Sequence, residues 1–125
     1  MIALISDIHG NYPALQSVLR ELDKLGCEEI ISLGDLAGYY CMLNECIQEL
    51  RSRAIVNLRG NHDDYLLSGN GCPRSGSASK CLAFQAQSLK EEHRQWLSRS
   101  PVSLTRPGVL WTRQRVFTIS LHSQK

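Results

Sequence analysis

The sequence contains no apolar run near the roughly 20 residues that cross a bilayer, so a membrane-spanning helix is excluded. Its opening run, Ile2 to Ile5, has no basic residue before it and is too short for a secretory leader, so the chain reads as cytoplasmic. None of its five cysteines (Cys27, Cys41, Cys46, Cys72 and Cys81) makes a C-x-x-C pair, which argues against a zinc ribbon or a thioredoxin-type motif. The number is odd, so the expectation is free thiols. Aromatic residues are only 6% of the chain. Acidic residues are missing altogether from residues 93–125, which carry six Lys and Arg, whereas residues 1–92 have a net charge of −4. A basic end of this kind is either a nucleic-acid patch or a segment whose acidic neighbours lie elsewhere. What remains is ordinary: 125 residues, 42% hydrophobic and 21% charged, the profile of one globular domain over residues 1–125.

Three short apolar runs read as strands of a parallel sheet: Ile2–Ser6, Glu29–Leu33 and Ala54–Leu58. Their starts are 27 and 25 residues apart, the spacing of βαβ units. Between the first two, Leu15, Val18, Leu19, Leu22 and Leu25 recur at helical spacing, with Asn11 as the N-cap, Pro13 in the first turn and Gly26 as the stop. Leu43, Cys46, Ile47 and Leu50 mark a second helix. A third amphipathic stretch runs from Leu82 to Leu97, with Leu82, Ala86, Leu89, Trp96 and Leu97 on one face. Residues 68–79 read as a mobile loop, residues 101–108 as turn-rich, and Val116–Leu121 as a strand.

The segments directly after the first three strands carry the chemistry. They are Asp7-Ile8-His9-Gly10-Asn11, Gly34-Asp35 and Arg59-Gly60-Asn61-His62-Asp63. Parallel strands end on one edge of the sheet, where open α/β folds bind ligands, so three polar loops converge there. Carboxylates, imidazoles and an amide oxygen suit divalent Mn, Fe, Co or Zn better than calcium. If the strand pitch continues, Asp7 and His9 lie on one side of the chain. Glycines 10, 34 and 60 permit sharp turns beside them. A bridging carboxylate such as Asp35 suits a pair of metals about 3.5–4 Å apart. The plainer alternative for Asn61 or Asp63 is capping a helix near Asp64–Leu67.

These three segments resemble the signature of the calcineurin-like metallophosphoesterases, D-x-H, then G-D, then G-N-H-[DE]. Ser6 to Asn11 resembles the compact bacterial and archaeal phosphoesterases of that family in particular, and the likeness runs from Met1 to about Pro101. The resemblance implies an α/β sandwich of two sheets flanked by helices. It implies a hydrolase acting on phosphomonoesters or phosphodiesters with two divalent transition-metal ions (Mn, Fe, Co, Ni or Zn). Asp7 and His9 would bind the first metal, Asp35 would bridge, and Asn61 would bind the second. His62 would protonate the leaving oxygen or stabilise the transition state, with Asp63 orienting it. Arg59 is a candidate phosphate-side cation, though a surface arginine explains it as well. The implied substrate is a phosphate-ester small molecule or nucleotide, with no membrane partner; a homo-oligomer is left open.

The pattern departs from the family at its C-terminal end. The family continues with a late histidine and a Gly-His-x-His motif, and no Gly-His-x-His is present among the four histidines 9, 62, 93 and 122. His122, after Val116–Leu121, matches at most the first of those late ligands. His93 lies in the polar run Glu91–Gln95 and reads as solvated surface. The expectation is a chain cut short at its C-terminus, with an incomplete second sheet. Two rival readings remain: a catalytically impaired remnant of such an enzyme, and a nucleic-acid-binding module built on the basic end.

Overall fold

The computed structural model describes residues 1–69, 76–106 and 108–113. Strands β1 (Ile2–Ile5), β2 (Glu29–Ser32) and β3 (Val56–Asn57) form a parallel sheet with β2 in the middle. Ile2 pairs with Glu29 and Ile5 with Ser32, while Ile31 pairs with Val56 and Ser32 with Asn57. The crossovers are α1 (Tyr12–Leu25) and α2 (Leu43–Ser52), and α3 (Asn61–Ser68) comes after β3. Then come α4 (Gly76–Ser88), α5 (Glu91–Arg99) and an antiparallel hairpin of β4 (Ser103–Arg106) and β5 (Val109–Thr112). The expected strand Val116–Leu121 and His122 lie outside the described residues, as do residues 70–75 of the expected loop.

The caps of α1 obey the local chemistry. The Asn11 side chain accepts from the Ala14 amide at 3.2 Å, and Gly26 closes the helix at φ 68°. The apolar stripe is narrower than its spacing implies. Leu15 and Leu19 are buried and Leu22 is half-buried, but Val18 and Leu25 are exposed. At about 100° per residue, Val18 and Leu25 sit on one flank of the stripe. In α2 all four expected positions, Leu43, Cys46, Ile47 and Leu50, are buried. Burial pushes the Cys46 thiol up to about 12, so it is a core residue rather than a nucleophile. Cys27, Cys41, Cys46 and Cys81 are free thiols.

Three expectations are corrected. The single amphipathic stretch Leu82 to Leu97 is two helices, broken at Leu89 and Lys90. Its apolar face is as expected, with Leu82, Leu89 and Leu97 buried and Ala86 and Trp96 packed beside them. The break is held by Asn44 of α2, which donates to Ser88 O at 2.8 Å and accepts from Lys90 N at 3.0 Å. A distant side chain thus satisfies the loose ends of both helices, and no local signal announces it. Residues 103–112 form a hairpin around Gly108 (φ 78°) rather than an irregular turn-rich segment. Strand β1 is not buried on both faces: Ile2 and Leu4 are exposed, while Ala3 and Ile5 face inward.

His93 is also not on the surface. It is 1% exposed, and its Nδ1 lies 3.2 Å from Arg51 Nη1. Arginine can only donate, so Nδ1 accepts and carries no proton. Burial, with Arg51 and Lys90 opposing a second positive charge and Glu92 and Glu45 favouring it, holds the imidazole below its usual pKa. The folded state therefore resists a proton that the unfolded state takes near pH 6.5. The stability contributed by neutral His93 is complete above about pH 6.5 and is lost as pH falls below it. Urea denaturation of wild type and His93→Gln at pH 7.5 and 5.5 checks this: the wild-type advantage should shrink at the lower pH.

Candidate metal centre

Asp7 and His9 leave β1 with φ of 58° and 51°, in the left-handed region. The strand pitch therefore does not continue, yet the two side chains still meet: His9 Nε2 lies 3.5 Å from Asp7 Oδ1. The neighbouring loop imposes that turn. Asp7 N donates to Gly34 O at 3.1 Å, and His9 N donates to Asp35 O at 3.0 Å. Asp35 itself has φ 57°. Such conformations cost about 1–3 kcal/mol each and cluster at functional sites.

Glycine is required where the second and third loops touch. A Cβ on Gly60 would stand 2.2 Å from Asp35 Oδ1 and 2.4 Å from Asp35 N; one on Gly34 would stand 2.5 Å from Gly60 N. Gly60 has φ −84°, so close approach rather than a sharp turn demands glycine there. The result is that ligand-capable atoms of Asp7, His9 and Asp35 all lie within 4.8 Å of one another.

Two details bear on whether these residues fit a metal. His9 Nδ1 donates to Ala37 O at 2.7 Å, so in the neutral ring the lone pair is on Nε2, which faces Asp7. A metal-binding histidine is held in that tautomer by a partner of this kind. The Asn61 amide lies against Asp35. With its amino group forward it donates to Oδ1 at 3.1 Å and Oδ2 at 3.2 Å; turned over, its oxygen stands there instead. Two oxygens so close need a cation between them. Burial pushes the Asp35 carboxyl up and Asp7 adds to this, against the His62 amide, which donates to Asp35 Oδ1 at 3.0 Å. The donor set fits a divalent ion that would repay this desolvation.

His62, at the start of α3, is buried and its ring lies 5.0 Å from that of His9. Its neighbours are Tyr39 at 5.4 Å and Tyr65 at 5.7 Å, and Tyr39 is also 4.9 Å from His9. A Cβ on Gly38 would be 2.9 Å from His62 Nδ1 and 3.3 Å from His9 Nδ1, so Gly38 forms one wall against both rings.

Asp63 is fully buried, and its carboxylate is spent on the backbone. It accepts from Asp35 N at 3.0 Å, Ala37 N at 2.9 Å and Gly60 N at 2.8 Å. Gly60 is the N-cap of α3, and Asp63, in the third helical position, closes a capping box on the Gly60 amide, so the plainer capping role holds for Asp63 alongside its ties to the second loop. Burial pushes its carboxyl up to about 7, against the three amides that favour the charge. Asp63 thus ties the second loop to the third. Asp63→Ala would strand three buried N–H groups at about 1–3 kcal/mol each. The expected loss is about 3 kcal/mol or more, read from urea denaturation. A loss under about 1 kcal/mol would mean that water satisfies those amides.

Arg59 is structural. Its guanidinium bonds Asp64 Oδ1 at 2.5 Å, Ser98 O at 2.9 Å and Ser100 O at 3.0 Å. Arg113 holds the other oxygen of Asp64, which anchors the hairpin to α3. Sequence reasoning missed Gln85, whose buried amide takes Gly38 N at 2.7 Å and donates to Gly38 O at 3.2 Å and to Tyr40 O. No motif marks it, although a glutamine in an apolar helix face is the trace it leaves.

Residues 1–120 match the family of calcineurin-like phosphoesterases. The chain belongs to that family. A 63-residue stretch is 44% identical to an uncharacterized protein of Methanocaldococcus jannaschii, covering 50% of this chain and 26% of the relative. The fold matches the crystal structure of a metallophosphoesterase from Sphaerobacter thermophilus at a TM-score of 0.69 and 30% identity, over 84% of this chain and 42% of that one. It also matches a hypothetical protein of Pyrococcus horikoshii at a TM-score of 0.70 and 22% identity, over 83% of this chain and 50% of the other, a likeness of fold alone. The chain thus spans half or less of the length of these relatives. No helix among the described residues is long and apolar enough to cross a membrane.

Proposed function

We propose that the three loops form a metal-dependent phosphoesterase centre that hydrolyses a phosphomonoester or phosphodiester. The observation that carries this reading is the convergence of Asp7, His9 and Asp35 within 4.8 Å from the ends of two strands. Asp7 and His9 would hold one divalent ion, Asn61 a second, and Asp35 both. When bound, such ions polarise a phosphoryl oxygen and make water more acidic. The chain's own residues do the rest. His62, beside His9 and lodged at the N-terminus of α3, donates a proton to the leaving oxygen. Asp63 acts through the backbone: it fixes the amides of Asp35 and Gly60, and thereby the spacing between Asp35 and Asn61. It is a positioning residue, in place of a direct partner for the His62 ring. The exposed Ile2 and Leu4 mark the face on which the second sheet of a sandwich would pack.

One observation favours a second reading, an impaired remnant. Residues 1–125 include no Gly-His-x-His resembling the family's late ligands, so from among them the second ion would rest on Asp35, Asn61 and at most His122. One experiment separates the two: hydrolysis of bis(p-nitrophenyl) phosphate by the purified chain, with Mn and then with a chelator. Turnover that appears with Mn and vanishes with the chelator supports the enzyme. Mn binding without turnover supports the remnant, and neither binding nor turnover refutes both.

A further inference from the structure

Beside the centre lies a recess of about 320 Å³, lined by Tyr39, Tyr40, Cys41, Lys80, Cys81 and Phe84. Its volume is at the small end of ligand pockets. Tyr39 belongs to both places, since its ring centroid lies 4.9 Å from that of His9 and 5.4 Å from that of His62, and it also lines the recess. Three aromatic side chains are exposed here, Tyr39 at 44%, Tyr40 at 57% and Phe84 at 53%, in a chain with few aromatics.

The backbone is built to hold this wall. Tyr39 has φ 58°, a left-handed conformation that costs energy in any residue but glycine. Gln85 of α4 holds it there by bonding the backbone on both sides, at Gly38 and at Tyr40. Tyr40 N donates to His9 O and Met42 N to Gly10 O, each at 3.0 Å, which ties the same loop to the first ligand loop. A Cβ on Gly10 would meet Gln85 Nε2 at 2.9 Å. Helix α4, which supplies Lys80 and Phe84, is thereby fixed against the metal-ligand loops.

We propose that this recess receives the organic part of the phosphoester, and that this part is a flat aromatic ring system such as a nucleobase. This rests on the phosphoesterase reading of the adjoining loops. Aromatic faces stack on flat rings whatever their edge chemistry. Lys80 places a cation on the wall of the same recess, which suits a ligand that carries a phosphate. Tyr39 spans the junction, so a ring in the recess sets the ester bond toward His62.

The test measures binding of AMP, ribose 5-phosphate and adenosine by calorimetric titration with and without Mn, and by amide chemical shifts without Mn, on wild type and Phe84→Ala. Phe84 is half exposed, so its truncation leaves the core intact. AMP should bind wild type at least about tenfold tighter than ribose 5-phosphate, a step set by stacking. Adenosine should shift Tyr40, Cys81 and Phe84 without Mn. Phe84→Ala should weaken AMP about tenfold and leave Mn and ribose 5-phosphate binding unchanged. Equal affinity for AMP and ribose 5-phosphate, or unaltered AMP binding in Phe84→Ala, overturns the proposal. The phosphoesterase reading fails differently: adenosine still shifts the recess, but Mn adds nothing to AMP binding.

Discussion

Asp35→Asn is expected to abolish metal binding while leaving the fold at least as stable as wild type. The side chain keeps its shape, and its remaining carbonyl oxygen still accepts from the His62 amide. What is lost is the charge, and that charge is costly here: Asp35 is 5% exposed, and burial disfavours its ionised form. Removing it relieves desolvation in the metal-free protein. A residue that destabilises the empty site and is needed for the filled one shows the trade expected at a functional position. Loss of an outer partner alone weakens a metal site about 10–100-fold, and loss of a bridging ligand should exceed that. Calorimetric titration with Mn and thermal melting of the metal-free variant measure both halves. Undiminished Mn affinity would remove Asp35 from the ligand set.

His62→Ala is expected to keep its metal and lose turnover. A general acid contributes about 10²–10⁴-fold, but its worth depends on the leaving group. An aryl group that departs as a stable anion needs little help, whereas an alkyl or ribosyl oxygen must be protonated as it leaves. The deficit should therefore lie at the low end of that range for nitrophenyl esters and at the high end for alkyl esters. A deficit equal for both would point to charge stabilisation by His62 in place of proton transfer. Loss of Mn in this variant would make His62 a ligand.

The parts of this molecule legible from sequence are those fixed by neighbours in the chain. The three parallel strands, the caps of α1 and the buried face of α2 come from spacing and from single residues such as Asn11 and Gly26. The convergence of Asp7, His9 and Asp35 was legible as well, because parallel strands must end on one edge. The route was not: both Asp7 and His9 turn left-handed, under backbone bonds to Gly34 and Asp35 of the next loop. The illegible features are those fixed across the fold. Asn44 splits one amphipathic stretch into α4 and α5. Arg51 and the packing around it bury a histidine set among polar neighbours. Asp63 carries a signature residue's identity, yet its oxygens serve the backbone amides of Asp35 and Ala37 in the second loop as well as that of Gly60 in its own.

The measurement that bears most directly on the centre is amide NMR of the ¹⁵N-labelled chain with substoichiometric Mn, whose unpaired electrons broaden nearby signals. Residues 7–11, 34–38 and 60–63 are expected to broaden first and together, while α5 around His93 and the β4–β5 hairpin keep sharp signals. Broadening centred on α5, or spread evenly over exposed carboxylates such as Glu21 and Glu91, would contradict a metal site at the three strand ends.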